Sequence, residues 1–411
     1  MNNPFQSPTF TGIWSERFAA NKSEHRFDFM PSLAFIKHRF LPLYTNVGKT
    51  LTKGISYRLE LESARDFRKK AFLIYDVPSY FEIDTDTHGT GLGLYRSTQY
   101  PGFLINLENH GSVNEFLATA FSKSSRYKLK KYKKRFDASF DVRYVMYRGE
   151  MARETYDHIF DSFRKLLEKR FDDKQITNNN LDPKEWQFYY ELSYPMLLEE
   201  KASLFVIYNG DEPIGVTLNF FSEDILFDAI TVFDIDYAKF HLGSNTILGL
   251  LEWCLANGVK IFDFSKGYFD YKTRWATKTY DFEYHIYYDC KSIRARTIAY
   301  CTKRFFDFKQ YLRDKKVNER MHRMTYRLKG RSSESVQHVN YRFHEIDPEG
   351  PIDTTRELPL DALENHHLRP AVFEFLYLNK GHFKDVRLYA TRKKNRYLLT
   401  CNTKQVVVTL E

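Results

Sequence analysis

A series of apolar segments of strand length, broken by turn residues and by one amphipathic helix, constrains the fold of this chain most tightly. Leu204–Tyr208 leads through Asn209-Gly210-Asp-Glu-Pro into Ile214–Phe221, and Asn-Gly between two apolar runs signals a hairpin. Ile225–Phe233 is a further strand. Beyond the loop Asp234–Gly243, the positions Ile247, Leu250, Leu251 and Cys254 recur at helical spacing over about 245–257. Ser244 or Asn245 is placed to cap that helix and Gly258 to end it. Val259–Phe264 returns as a strand and Phe282–Tyr288 is the last of the set. Antiparallel strands followed by a strand–helix–strand unit predict an α/β fold with a mixed sheet flanked by helices.

The flanking regions divide the chain into four stretches, 1–140, 141–290, 291–330 and 331–411. In the first, Ala71–Tyr75 and Gly102–Asn106 read as buried strands. Gly89-Thr-Gly-Leu-Gly93 lies between them and has no helical pattern after it, so it reads as a turn and not as a phosphate loop. Leu129, Tyr132 and Phe136 predict a helix over 124–136, and Tyr156, Phe160, Phe163 and Leu167 another over 151–170. Asp182-Pro183-Lys184-Glu185 starts a third, with Asp182 as N-cap and Pro183 at the first helical position. Residues 291–329 continue as a long basic amphipathic helix and 331–340 as a polar linker. The final stretch is expected to be a small β-rich unit, with Ala371–Leu378, Val386–Tyr389 and Val406–Leu410 as its strands.

Composition narrows the class. Apolar residues make up 43% of the 411, enough to offset chain entropy, which excludes collagen-like and wholly disordered proteins. The 17% aromatic content predicts a heavily packed core. No run of about 18 apolar residues occurs, so no membrane-spanning helix is expected. The start of the chain lacks the pattern of a signal peptide. Cys254, Cys290, Cys301 and Cys401 form no CxxC pair, so neither a disulfide framework nor a zinc site is expected, and the location expected is cytoplasmic. His366-His367 lacks metal-ligand spacing, and no metal is predicted.

The net charge of +9 is concentrated. Residues 121–136 hold eight basic and no acidic side chains, and 291–331 hold fourteen basic against three acidic ones, leaving the rest of the chain at −10. Basic character confined to two segments favours anionic partners at particular places.

Chemistry concentrates between Leu226 and Trp275. The loop carrying Lys239, His241, Leu242 and Gly243 runs into a helix start at Ser244-Asn245-Thr246. Free amides and the helix dipole make such a start a seat for phosphate. In the next strand, Ile261-Phe-Asp-Phe264 is apolar apart from Asp263, near the end where ligands of open α/β sheets gather. Lys266, Asp270, Tyr271, Lys272 and Arg274 follow within the next residues.

The order of strand, Tyr237-Ala-Lys-Phe-His-Leu-Gly-Ser-Asn-Thr246, long helix, Gly258, Asp263-Phe-Ser-Lys-Gly267 and Tyr271-Lys272 resembles the acetyltransferases of the GNAT superfamily. More narrowly it is similar to the branch associated with cellulose and exopolysaccharide biosynthesis, which is related to the Fem-type peptidyltransferases with their two tandem GNAT-like halves. Ser124-Ser-Arg126-Tyr-Lys-Leu-Lys-Lys131 matches the basic helix that precedes the better preserved half. The likeness covers about 110–290, is weak before that, and does not reach 330–411. It implies tandem GNAT-like halves, a degenerate one over 1–140 and an acyltransferase half over 141–290.

It also implies acyl transfer from acetyl-CoA or another acyl-CoA to an amine or hydroxyl of a sugar or glycan precursor, as a small molecule or lipid-linked, in cell-surface polysaccharide biosynthesis. The donor would lie on Lys239 and Leu242–Thr246, that is Leu242, Gly243, Ser244, Asn245 and Thr246. Asp263 or His241 would act as base, Tyr271 would protonate the leaving thiolate, and Arg126, Lys266 and Lys272 would hold a substrate phosphate. The loop departs from the family pattern, which has more glycine than the single Gly243. That departure leaves open a Fem-like transferase using aminoacyl-tRNA, or a non-catalytic glycan-assembly scaffold or nucleic-acid-binding protein. The 291–329 helix suits contact with an anionic membrane at the inner face.

Overall fold

Register and connection order, more than propensity, decide where the elements of this chain meet. The computed structural model describes residues 3–19, 22–62, 64–174, 179–315, 340–344, 354–360 and 367–410. Within these the first part forms α1 (Pro8–Phe18), β1 (Glu24–Arg26), β2 (Ala34–Lys37), β3 (Leu43–Asn46), β4 (Ala71–Pro78) and β5 (Leu92–Asn106). Next come α2 (Val113–Ala120), α3 (Lys123–Ser139), β6 (Val142–Tyr147), α4 (Arg153–Lys174) and α5 (Pro183–Leu198). The third part holds β7 (Ala202–Asn209), β8 (Glu212–Ser222), β9 (Ile225–Phe233), α6 (Leu242–Ala256), β10 (Ile261–Lys266), α7 (Asp270–Trp275), β11 (Lys278–Asp289) and α8 (Ile293–Asp314). The last comprises β12 (Tyr341–His344), β13 (Thr354–Leu358), α9 (Arg369–Asn379), β14 (Val386–Thr391), β15 (Arg396–Cys401) and β16 (Lys404–Leu410).

The protein is mixed α/β. Eleven strands form one sheet in the order β1-β2-β3-β4-β11-β5-β10-β9-β8-β7-β6. Among the described residues, only β3–β4 and β9–β10 are parallel pairs. Because β11 sits between β4 and β5, and β5 between β11 and β10, the stretches before and after residue 140 share this sheet. One face carries α1, α4 and α5, with Phe163, Leu192 and Val216 in its core. The other carries α2, α3 and α6, with Phe116, Phe136 and Leu251 inside. The aromatic content does go into packing. Phe27, Phe29, Phe35 and Tyr44 surround Phe72 with ring centroids 4.7–5.4 Å apart, the spacing of edge-to-face and stacked pairs.

A second sheet, five-stranded and antiparallel in the order β12-β16-β15-β14-β13, is separate from the first. Its helix α9 corrects the strand expected at Ala371–Leu378. An uninterrupted apolar run has no period of its own. Here Pro370 opens the helix, Lys380 closes it at φ 57°, and Ala371, Val372, Phe375 and Leu376 are buried at helical spacing. This unit is docked on the large domain. Phe373 packs on Phe140 and Tyr237, Arg135 donates to the Tyr377 carbonyl at 2.8 Å, and Lys239 pairs with Glu374 at 2.8 Å.

Two other boundaries moved. Helix α6 begins at Leu242, so Ser244 and Asn245 lie in its first turn, and the cap position falls to His241 at φ 54° with no side-chain cap bond. Helix α8 accounts for the first half of the basic helix expected over 291–329. The remainder of that helix and the linker over 331–339 lie outside the described residues.

Candidate active site

The site forms where β9 and β10 part. Their parallel ladder holds for three pairs, Ile261–Ile225, Phe262–Leu226 and Asp263–Phe227, and then stops. Two local irregularities keep the strands apart. In β9, Leu218 of β8 faces Ile230 and Asn219 faces Asp228, so Ala229 is the extra residue of a β-bulge. A bulge reverses the alternation of side chains beyond it. Ile230 and Val232 consequently join the α4 face, while Asp228, Thr231 and Phe233 line the cleft between the strands. In β10, the pairing with β5 shifts between Asp263 and Lys266, with Ser265 at φ 61°, and Lys272 of α7 takes up the carbonyls there, donating to Phe264 O at 2.7 Å, Lys266 O at 3.1 Å and Ser265 O at 3.4 Å. Unpaired buried carbonyls are costly, and this ammonium satisfies them with β9 absent. Burial pushes Lys272 down to about 8, opposed by Asp228 and Asp263.

The resulting cleft has a volume of about 340 Å³. Its floor is the first turn of α6. The amides of Ser244 and Asn245 bond back to His241 O at 2.8 and 3.2 Å, whereas those of Leu242 and Gly243 have no acceptor among the described residues. These amides and the helix dipole favour an anion. Gly243 is also required by packing, since a Cβ there would lie 2.7 Å from the Phe233 ring. Arg170 enters from α4 and lies 4.6 Å over Phe233, and Arg274 comes from α7. Neither has an ion-pair partner among the described residues. Arg170 is half-buried and Arg274 exposed, and a half-buried guanidinium without a carboxylate is poised for an anionic ligand.

Asp228 supplies the negative charge. It is buried, accepts a 2.7 Å hydrogen bond from Thr231 Oγ1, and burial raises its pKa against the pull of Thr231, Lys272 and Lys53. Tyr271, 38% exposed as a residue, lines the same cleft with its ring edge-on to Phe264, and desolvation followed by the Asp228 charge raises its pKa. His241 is stacked on Tyr132 of α3 at 3.7 Å, and partial burial and Arg274 lower its pKa, leaving the ring neutral near pH 7.

Of the residues singled out in the sequence, Tyr271, His241, Leu242, Gly243, Ser244 and Thr246 line this cleft. The others lie elsewhere. Asp263 is paired with Phe227, so it points to the face opposite Asp228. There it is fully buried, accepting from Tyr80 at 2.8 Å, from Tyr280 at 2.6 and 2.8 Å and from the Ser265 amide at 2.6 Å. Burial raises it to about 6 despite those donors. Lys266 pairs with Asp76, which also accepts from Thr52, and Arg126 donates to Ala118 O at 3.2 Å. Lys239 is held by Glu374. Asn245 is buried, donating to Phe240 O at 3.2 Å, and its Oδ1 has no partner among the described residues. Sequence reasoning missed Asp228, Arg170, Thr231 and Trp275. Asp228 carries the same signal that marked Asp263, a lone acid in an apolar strand.

Among the described residues no three His, Cys, Asp or Glu side chains gather as a metal site, and His366 lies outside them. No helix among them is long and apolar enough to cross a membrane.

This geometry falls in the stretch with a family counterpart: residues 123–273 match the acetyltransferase (GNAT) domain family. The chain thus carries an acyltransferase-like domain of GNAT fold. No curated protein matches it in sequence. Among solved structures, a conserved protein of unknown function from Bacteroides thetaiotaomicron is 10% identical at a TM-score of 0.45, covering 70% of this chain and 92% of that one. FemX is 11% identical at 0.43, with coverage of 62% and 83%. The L-PGS of Bacillus licheniformis is 11% identical at 0.42, with coverage of 73% and 97%. Likeness this distant leaves substrate and mechanism to be argued from the residues of this chain.

Proposed function

We propose that the protein transfers an acyl group from an acyl-CoA, with acetyl-CoA as the first donor to test, to an amine or hydroxyl of a sugar or glycan precursor. The observation that carries this reading is the parting of β9 and β10 over the open first turn of α6, with Asp228 and Tyr271 both lining the cleft that results. A cleft between two strands lets a pantetheine-like chain reach the sheet centre from the α6 side, while an acceptor approaches from the other side.

In the proposed reaction the acceptor nitrogen or oxygen attacks the thioester carbonyl carbon. Asp228 takes the proton lost by the nucleophile, the C–S bond breaks, and Tyr271 gives its proton to the departing sulfur. Neither group forms a covalent intermediate. Holding donor and acceptor together can supply about 7–11 kcal/mol, and a positioned base a further factor of roughly 10²–10⁴. Asp228 replaces Asp263 in this role because it faces the cleft; His241, neutral and at the rim, is the second candidate base. The α6 amides with Ser244 and Thr246 would seat the donor pyrophosphate, and Arg170 and Arg274 would neutralise phosphate on donor or acceptor. The mismatch between the single Gly243 and the family loop favours keeping aminoacyl-tRNA as a second donor, since the basic helix α3 packs at this cleft through Tyr132 on His241.

Incubation with acetyl-CoA and a panel of amino sugars and nucleotide sugars, followed by free-thiol release, tests this reading. Thiol release that depends on an acceptor and falls in Asp228→Asn supports it. Binding of aminoacyl-tRNA with no response to acetyl-CoA would transfer the site to the second donor.

A further inference from the structure

Helix α8 turns one face to the sheet and leaves the other uncovered by any described residue. The inward face is narrow and small. Ala295 and Ala299 let the helix lie close, and Phe306 stacks on Tyr284 with ring centroids 3.8 Å apart. Ser97 donates to Asp307 at 2.8 Å, and Arg313 lies 3.5 Å over the Tyr100 ring. At 100° per residue, the opposite side carries Ile293, Tyr300, Arg304, Phe308, Tyr311 and Lys315 within about a quarter turn. These are not edge residues. Ile293 is 79% exposed, Tyr300 54%, Phe308 59% and Tyr311 56%, and neighbouring Phe305 is 62% exposed.

We infer that this face of α8 docks the protein on an anionic lipid surface. The inference does not depend on the transferase reading. Large apolar side chains this exposed, gathered on one row, mark a surface that leaves water in use. Their arrangement fits a helix lying in the plane of a bilayer interface, with aromatic side chains entering the headgroup boundary and cations snorkelling to phosphates. Of the exposed charges, Arg304 and Lys315 lie on this row, Arg294 and Arg296 flank it and Lys309 lies further round, against Asp314 alone, so the patch is complementary to anionic lipid. Each cation brought to such a surface is worth roughly fivefold in affinity. A second copy of the chain is disfavoured as the occupant, because a like face would oppose cation to cation. Nucleic acid suits the charge but would leave the central Ile293 and Phe308 without an apolar partner.

The test is co-sedimentation of the full chain with sucrose-loaded vesicles of phosphatidylcholine alone or with about a third phosphatidylglycerol. The expected result is at least tenfold stronger recovery on the phosphatidylglycerol vesicles, weakened by salt. That recovery should be lost in Phe305→Ser/Phe308→Ser and reduced in Arg304→Glu/Lys315→Glu. These positions are exposed, so circular dichroism and melting temperature should stay at wild-type values. If the phenylalanine pair disturbs folding, Tyr300→Ser/Tyr311→Ser decides in its place. Equal recovery on both vesicle types, no recovery on either, recovery unchanged in all variants, or tRNA competing the protein off the vesicles through the same residues would overturn the inference.

Discussion

Asp228 and Asp263 sit one on each of two neighbouring parallel strands, each the lone acid in an apolar run, yet they face opposite sides of the sheet. Asp263 is ringed by two tyrosine hydroxyls and a backbone amide, whereas Asp228 has one short hydrogen bond and an open cleft before it. The difference lies in register. Asp263 is paired with Phe227, one residue before Asp228, and neighbours in a parallel pair point the same way. Equivalent sequence signals therefore mark a structural tie in one case and a candidate base in the other. Satisfied hydrogen bonds separate the two roles better than burial does, because both carboxylates are buried and both have raised pKa values.

The comparison breaks most visibly at Asp228. Asp228→Asn should lower acyl transfer by about 10²–10⁴-fold, with donor binding preserved, as measured by steady-state thiol release and calorimetry. In the wild type the base must be ionised, so the rate should climb as pH rises through a value above the ordinary carboxylate range. An unchanged rate in the variant would remove Asp228 from the chemistry.

Lys272→Met tests what holds the strands apart. It strips the buried carbonyls of Phe264, Ser265 and Lys266 of their donor, and should cost about 2–4 kcal/mol of stability in urea unfolding. A loss within 0.5 kcal/mol would mean that the strands stay apart without it.

Asp263→Asn sharpens the contrast through pH. With a native value of about 6 against an ordinary 3.8, Asp263 binds its proton more tightly when folded. Its contribution is complete below the unfolded value and is lost as pH rises through about 6. Relative to wild type, the variant should therefore gain on the order of 3 kcal/mol between pH 3.5 and 7, with the transfer rate little changed. A rate loss as large as that of Asp228→Asn would restore Asp263 to catalysis. The smallest effect belongs to Tyr271→Phe, expected to slow transfer about tenfold, because a thiolate leaves with only modest help from an acid.

Much of the architecture was legible in the sequence because periodicity reports burial directly. The hairpin at Asn209-Gly210, the Asp182 cap, α4 and the strand–helix–strand unit follow from apolar spacing and turn chemistry. Helix α9 was misread because a fully apolar run carries no period. In the site, the α6 turn and Tyr271 were legible, since a loop that starts a helix announces itself. Asp228 and Arg170 were not. The first depends on the register between β9 and β10, which sets the face that Asp228 takes, and the second on the last turns of α4 reaching the cleft from another part of the chain. Neither follows from a local pattern of apolar and polar residues.

The central claim is that the first turn of α6 seats the pyrophosphate of an acyl-CoA. Ser244→Asp examines it directly, because a carboxylate in the first turn of a helix favours the helix while repelling an anion placed there. Titration calorimetry should show one acetyl-CoA site in the wild type and at least tenfold weaker binding in the variant, with no loss of melting temperature. Equal affinity in the two proteins, or no heat of binding in either, would contradict it.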